Sequence, residues 1–383
     1  MKAYLRERKN AKCYYCILKW ENGGESYKKE VSTGVPIKGN NKREAKQRME
    51  EIREEYEKKY EVAKIILFQN MTFDQFMLQW LENQKPFIKQ TTYYGYESII
   101  KNHIIPYFKP YNILLPDLTA QHIQGYYNYK LKQGLSANTV KRHHANIRKA
   151  LQEALIQDCV PYNVADKTKL PTIIKYQPTI YNSQQLNHLL QVVQATPLEA
   201  PVVLCSNYAL RRGEVCGLRW IDVDFDNFVI HIRHTRSMAG KEISQDSTKN
   251  QSSTRDYPMS QSIYKYLQKL KVRQNDYRLF LGKAYNDSGY VCTWEDGRPL
   301  AVSYVSHAFK TLLQKNNLPH IRFHDIRHSV ATNLLENDVN LKVIQEYLGH
   351  SSITTTANFY LHPNMKHKQK IVDSMSALLI AEH

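Results

Sequence analysis

Long apolar runs are missing from this 383-residue chain. No window approaches the roughly 18 apolar residues that a membrane-spanning helix requires. The opening stretch, Met1 to Lys9, is charged from the start and has no apolar segment of signal-peptide length, so secretion is not expected. Cysteine is scarce: the six residues at 13, 16, 159, 205, 216 and 292 are scattered in a way that builds no disulfide framework. A cytoplasmic, reducing compartment is the expected setting. Phosphate-cradling glycine loops are also lacking, with neither a Walker loop nor a dinucleotide fingerprint. No paired-carboxylate metal site of the nuclease kind is present. Cys13 and Cys16 have no second Cys or His pair nearby, and in a strand their side chains face opposite ways, so both read as strand residues. Neither metal nor organic cofactor is expected.

Acidic residues are the other deficit. There are 36 Asp and Glu against 53 Lys and Arg, for a net charge of +17. Residues 1–60, 71–172 and 173–383 are each net positive by five or six, so the excess is not one basic tail. A polyanion contacted along the whole chain is the natural partner. A membrane surface would favour a single basic amphipathic helix, which the sequence does not show.

What is present divides into three sections. Residues 1–40 alternate as strands, with Lys12 to Trp20, a turn at Glu21-Asn22-Gly23-Gly24, and Tyr27 to Val35. A charged helix with a narrow apolar face follows from Asn40 to about Glu61. Lys2, Arg6, Arg8, Lys9 and Lys12 stand at the entry of this sheet, where a strand face can enter a DNA groove. Residues 71–172 read as helices, capped at Thr72 and Ser136 and running over about 91–105, 119–133 and 136–157. In the last, Lys141-Arg142 and Arg148-Lys149 recur after seven residues as a basic ridge suited to phosphate contacts. Pro161, Pro171 and Pro178 mark a linker over 161–178. Beyond it, helices are expected near 183–194, 197–209 and 212–218, strands at 228–234 and 254–259, and helical patterns from 261 to the end. The predicted class is α+β and mainly α: a β-sheet domain (1–62), a helical domain (70–165) and a larger domain with a small sheet (176–383).

Four segments of the third section stand out together: Leu210-Arg211-Arg212-Gly213-Glu214, then Lys249 in a turn-like stretch, His324-Asp325-Ile326-Arg327, and Leu348-Gly349-His350 with Tyr360 ten residues on. These resemble the motifs of the tyrosine recombinases, or phage integrases, and the three-section layout is most similar to integrases of conjugative transposons from Gram-positive bacteria. The resemblance implies that Arg211, Lys249, His324, Arg327, His350 and Tyr360 form the catalytic set. Cleaving a phosphodiester without a metal needs fixed positive charge around the non-bridging oxygens, and two arginine forks supply it. His324 and Arg327, at i and i+3, share one helix face. In this reading His350 donates a hydrogen bond to phosphate. Tyr360 becomes a 3′-phosphotyrosine, and Lys249 protonates the leaving 5′ oxygen. Glu214 is expected to brace the arginine rather than act as a base.

The resemblance further implies integration and excision of a mobile element through a Holliday junction. It implies double-stranded DNA partners at arm and core sites, with the second and third domains clamping the core site. A homotetramer on DNA, excision and DNA-bending accessory proteins, and exchange of the tail at about 366–383 (Ile371, Met375, Leu378, Leu379) between protomers belong to the same expectation. Two other readings stay open at this stage: a type IB topoisomerase, and a DNA-binding regulator that keeps the fold without the reaction.

Overall fold

Tyr14, Cys16 and Leu18 are buried at every second position, the mark of a strand with one covered face. The computed structural model describes residues 1–7, 11–22, 25–39, 41–174, 176, 178–245, 254–353, 372 and 375. It pairs β1 (Lys2–Arg6), β2 (Cys13–Asn22) and β3 (Glu25–Pro36) as an antiparallel meander. A helix, α1 (Lys42–Gln69), covers one face with Met49, Ile52 and Tyr56, which meet Cys16, Leu18 and Val31. The helix runs past the end expected near Glu61. On the opposite face the register lines up three exposed lysines, Lys2 against Lys19 and Lys19 against Lys28. Rows of Tyr4, Ile17, Glu30 and of Arg6, Tyr15, Ser32 follow.

The helical section contains α2 (Phe73–Gln84), α3 (Gln90–Ile99), a π-helical turn at Ile100–Ile104, α4 (Ile105–Phe108), α5 (Ala120–Lys132) and α6 (Ala137–Ile156). Its helix starts are set by side-chain caps: Thr119 accepts from the His122 amide and Ser136 from the Thr139 amide. Phe73, Met77, Trp80, Ile104, Tyr126 and Ile147 fill the core. The linker starts later than its prolines suggest. Val164–Lys167 is a 3₁₀ turn with Val164 and Ala165 buried in that core, and Asn163 Nδ2 donates to the Arg148 carbonyl at 3.0 Å. This compact unit spans Met1–Ile174 and a second spans Lys175–His383.

The second unit runs through α7 (Ser183–Val192), α8 (Glu199–Tyr208), α9 (Arg212–Gly217), β4 (Val223–Asp224) and β5 (Val229–Ile232). It continues with β6 (Thr235–Ala239), β7 (Lys241–Gln245), β8 (Arg255–Pro258), α10 (Gln261–Leu281), α11 (Val302–Lys315), α12 (Phe323–Glu336) and α13 (Leu341–Leu348). Strands β4, β5 and β8 form an antiparallel sheet, and β6 and β7 a hairpin. The helical pattern expected from 261 onward is interrupted. After a 3₁₀ turn at Gly282–Ala284, residues 285–301 form irregular chain held by single bridges, Arg219 to Tyr290 and Thr293 to Pro299. Asp287-Ser288-Gly289 and Asp296-Gly297 are turn sequences, and they break the helix where apolar spacing alone does not.

Candidate active site

Helix α9 is short, and close backbone packing pins it. A Cβ on Gly213 would sit 2.6 Å from the Arg236 carbonyl, and one on Gly217 would sit 2.8 Å from that of His234, so both positions need glycine for α9 to lie on β6. Arg211 stands in extended conformation at the N-cap. Its amide donates to Glu214 Oε2 and its Nη1 to Oε1, each at 2.8 Å. Arg255 Nη2, from β8, donates to the same Oε2 at 2.7 Å. Glu214 is buried, which alone would raise its carboxyl; Arg255 and then Arg211 outweigh that and hold it below the usual range. The brace expected of Glu214 is present, shared by two arginines.

A second arginine arrives on α12. At its N-cap the Arg322 amide donates to Asp325 Oδ2 at 2.8 Å, and the guanidinium pairs with both carboxylate oxygens at 2.9 and 2.7 Å. That arrangement fixes the first turn, which carries His324 and Arg327. Arg327 is 1% exposed. Its Nη1 donates to the Ala209 carbonyl at 2.7 Å and its Nη2 to the Leu348 carbonyl. Burial, then repulsion from Arg211, lowers this guanidinium to about 9, so it stays charged at neutral pH.

Helix α13 delivers the third element. It ends at Gly349 with φ +63°, and a Cβ there would fall 2.1 Å from Arg255 Nη1; conformation and space both demand glycine. Gln345 Nε2 donates to the His350 carbonyl at 2.9 Å and the His350 amide to the Gln345 carbonyl at 3.1 Å, fixing the backbone of His350. The Gly349 carbonyl accepts from Arg211 Nη2 at 2.9 Å. Burial and the charges of Arg327 and Arg211 lower the His350 imidazole to about 3. His324 keeps an exposed edge, yet the protein packed around its ring and the Arg327 charge bring it to about 4. The His324 ring meets His328 edge to face at 4.8 Å.

Of the residues expected from spacing, Arg211 and Arg327 therefore meet at the turn Leu348–Gly349 that leads into His350, while His324 stands on the same helix as Arg327, against His328. Lys249 and Tyr360 lie outside the described residues, as do Arg8 and Lys9. So does the tail at 366–383 apart from Val372 and Met375, both exposed. On the N-terminal sheet Lys2 and Arg6 lie on the uncovered face, and Lys12 is exposed just before β2. The basic ridge of α6 is divided. Arg142 is exposed and Lys141 half-buried, but Arg148 pairs with Asp166 at 2.6 Å. Lys149 donates to Gln84 at 3.1 Å and lies over the Trp80 and Tyr96 rings. Sequence reasoning passes over Arg255, Lys19 and Lys28. The signal for Arg255 is its inward register beside Tyr257 in β8; the two lysines emerge only once strands are paired.

Comparison with known proteins places this site in context. The Phage integrase family matches residues 180–367, and the phage integrase N-terminal SAM-like domain matches 72–131. The chain is 29% identical over 386 residues to a protein described as "Tyrosine recombinase XerC-like" from Caldanaerobacter subterraneus subsp. tengcongensis, covering 94% of this chain and 98% of that one. It is 23% identical over 371 residues to the ICEBs1 integrase of Bacillus subtilis, covering 95% and 100% respectively. In fold it is similar to the Tn1549 transposon integrase solved in complex with a circular intermediate DNA. The TM-score is 0.66 at 21% identity, over 80% of this chain and 99% of that chain.

Proposed function

The chain belongs to the phage integrase family of tyrosine recombinases, and from that premise we propose that Tyr360 is its nucleophile and that Arg211, Lys249, His324, Arg327 and His350 serve the same phosphate. It is an enzyme that cleaves and rejoins DNA, an integrase similar to those of transposons and ICE elements. The observation that carries the residue assignment is the convergence of Arg211 and Arg327 on successive carbonyls of the turn that presents His350.

In this reading Arg211 offers its guanidinium to the non-bridging oxygens while the five-coordinate phosphorus forms. Arg327, held at the rear by two carbonyls, exchanges one of those bonds for phosphate. His324 and His350 are neutral at physiological pH and act as hydrogen-bond donors rather than as cations. Tyr360 attacks phosphorus as its phenol proton passes to solvent, the 5′ oxygen leaves with a proton from Lys249, and a 3′-phosphotyrosine stores the bond for rejoining. Fixed cations supply the charge that a metal supplies elsewhere. Exchange of strands between two DNA segments then requires four protomers and a Holliday junction, with excision and DNA-bending proteins setting direction. The uncovered sheet face, with Lys2, Arg6, Lys19 and Lys28, binds accessory arm sites. The helical section, through Lys141 and Arg142, contacts the core site. No described helix is long and apolar enough to cross a membrane.

The test is covalent trapping on a nicked suicide substrate made from the element's end, in EDTA, on a denaturing gel. Wild-type protein gives a shifted protein–DNA band, and Tyr360→Phe binds the same DNA but gives none. A band that persists in the variant assigns the bond to another tyrosine. Specific binding without trapping by either protein means the chain is a regulator.

A further inference from the structure

Glu214 is a buried carboxylate in contact with a residue on which the reaction depends. With Arg211 as its only partner, the pair would be neutral and would attract a phosphate far less than a cation does. Arg255 changes that balance. Its side chain is 7% exposed, and it donates to the same Glu214 oxygen that accepts the Arg211 amide. One carboxylate is thereby shared between two guanidiniums, and with Arg327 alongside, the cluster keeps an excess of two positive charges. Arg255 has a second attachment. Its Nη1 donates to the Leu348 carbonyl, which also accepts from Arg327, while Arg211 holds the next carbonyl at Gly349. Three arginines from three separate elements thus fix two consecutive peptide groups in front of His350. The same strand grips α13 once more, through Tyr257, whose hydroxyl donates to the Tyr347 carbonyl.

We propose that Arg255 is a positioning residue of the recombinase site: it balances Glu214 so that Arg211 stays cationic toward the scissile phosphate, and it ties the strand that follows Lys249 to the turn that presents His350. The inference rests on the recombinase reading above. A purely structural ion pair would hold the fold and do nothing for the reaction, and a double-mutant cycle separates the two roles.

The experiment measures the initial rate of covalent complex formation on the nicked substrate for wild type, Arg255→Met, Glu214→Gln and the double variant. DNA affinity and melting temperature are measured for each. Arg255→Met is expected to bind DNA normally and to form the complex at least about tenfold more slowly, on the scale of removing one preorganised electrostatic interaction. Removing the carboxylate as well restores the positive excess, so the double variant is faster than Arg255→Met. Arg255→Lys, which keeps the charge without the fork, falls between wild type and Arg255→Met. Should wild type itself form no complex, the recombinase reading fails. Should wild type react while Arg255→Met matches it, or the double variant be slower than Arg255→Met, this proposal fails.

Discussion

Burial and then neighbouring charges hold the imidazole of His328 near 4 and that of His350 near 3, and burial brings His143 in the helical section to about 4. In the unfolded chain each titrates near 6.5. Between pH 6.5 and 4 the unfolded state therefore binds more protons, so stability is full above that window and falls as pH drops through it. His143, 1% exposed with Nδ1 2.8 Å from the Tyr126 hydroxyl, is the cleanest case. Between pH 7 and 5 it is expected to cost on the order of 2 kcal/mol. The urea midpoint should fall over that range, and His143→Gln should lose part of the fall; a midpoint unchanged from pH 7 to 5 would contradict these assignments. Of the proposed catalytic groups, those within the described residues are legible in the sequence where a short motif fixes one face by its internal spacing, as with Arg211 and Glu214 or His324 and Arg327. Arg255 is not, because its anion is 41 residues away in sequence. Arg148 reads as a phosphate ligand for the same reason, since Asp166, which engages it, lies 18 residues on.

At the scale of elements, the N-terminal meander carries a conflict that points to its partner. Lys2, Lys19 and Lys28 stand directly opposite one another, and like charges across strands destabilise a sheet. A polyanion over that face removes the repulsion. Lys19→Ala with Lys28→Ala is expected to weaken arm-site DNA binding and to flatten the plot of log affinity against log salt by about 0.9 for each phosphate no longer neutralised. Trapping on a short core substrate should be unchanged. Titration by fluorescence anisotropy over a salt series checks this, and an unaltered slope would remove the sheet face from the interface. The helices are readable from caps such as Ser136 and from apolar stripes. Local pattern does not determine strand register, so the lysine row emerges only with the pairing. The β6–β7 hairpin offers little beyond Gly240 at its turn. The irregular stretch at 285–301 announces itself by turn residues, which outweigh periodicity when the two disagree.

For the whole molecule, the even spread of positive charge and the cluster of arginines around one turn are what the proposed function asks for, contact with DNA over a long path and reaction at one point. The chemistry then depends on which side chain forms the bond. Trypsin cleaves after Lys342 and Lys366, leaving one peptide with two tyrosines, Tyr347 and Tyr360. Tyr347 is a built-in control: its hydroxyl donates to the Asn207 carbonyl, and burial pushes its phenol above the ordinary range. The decisive measurement is mass spectrometry of the trapped covalent complex after nuclease and trypsin digestion, with fragmentation to locate the phosphonucleotide. The nucleotide is predicted on Tyr360. Its appearance on Tyr347, or on a peptide outside residues 343–366, would contradict the assignment of the nucleophile.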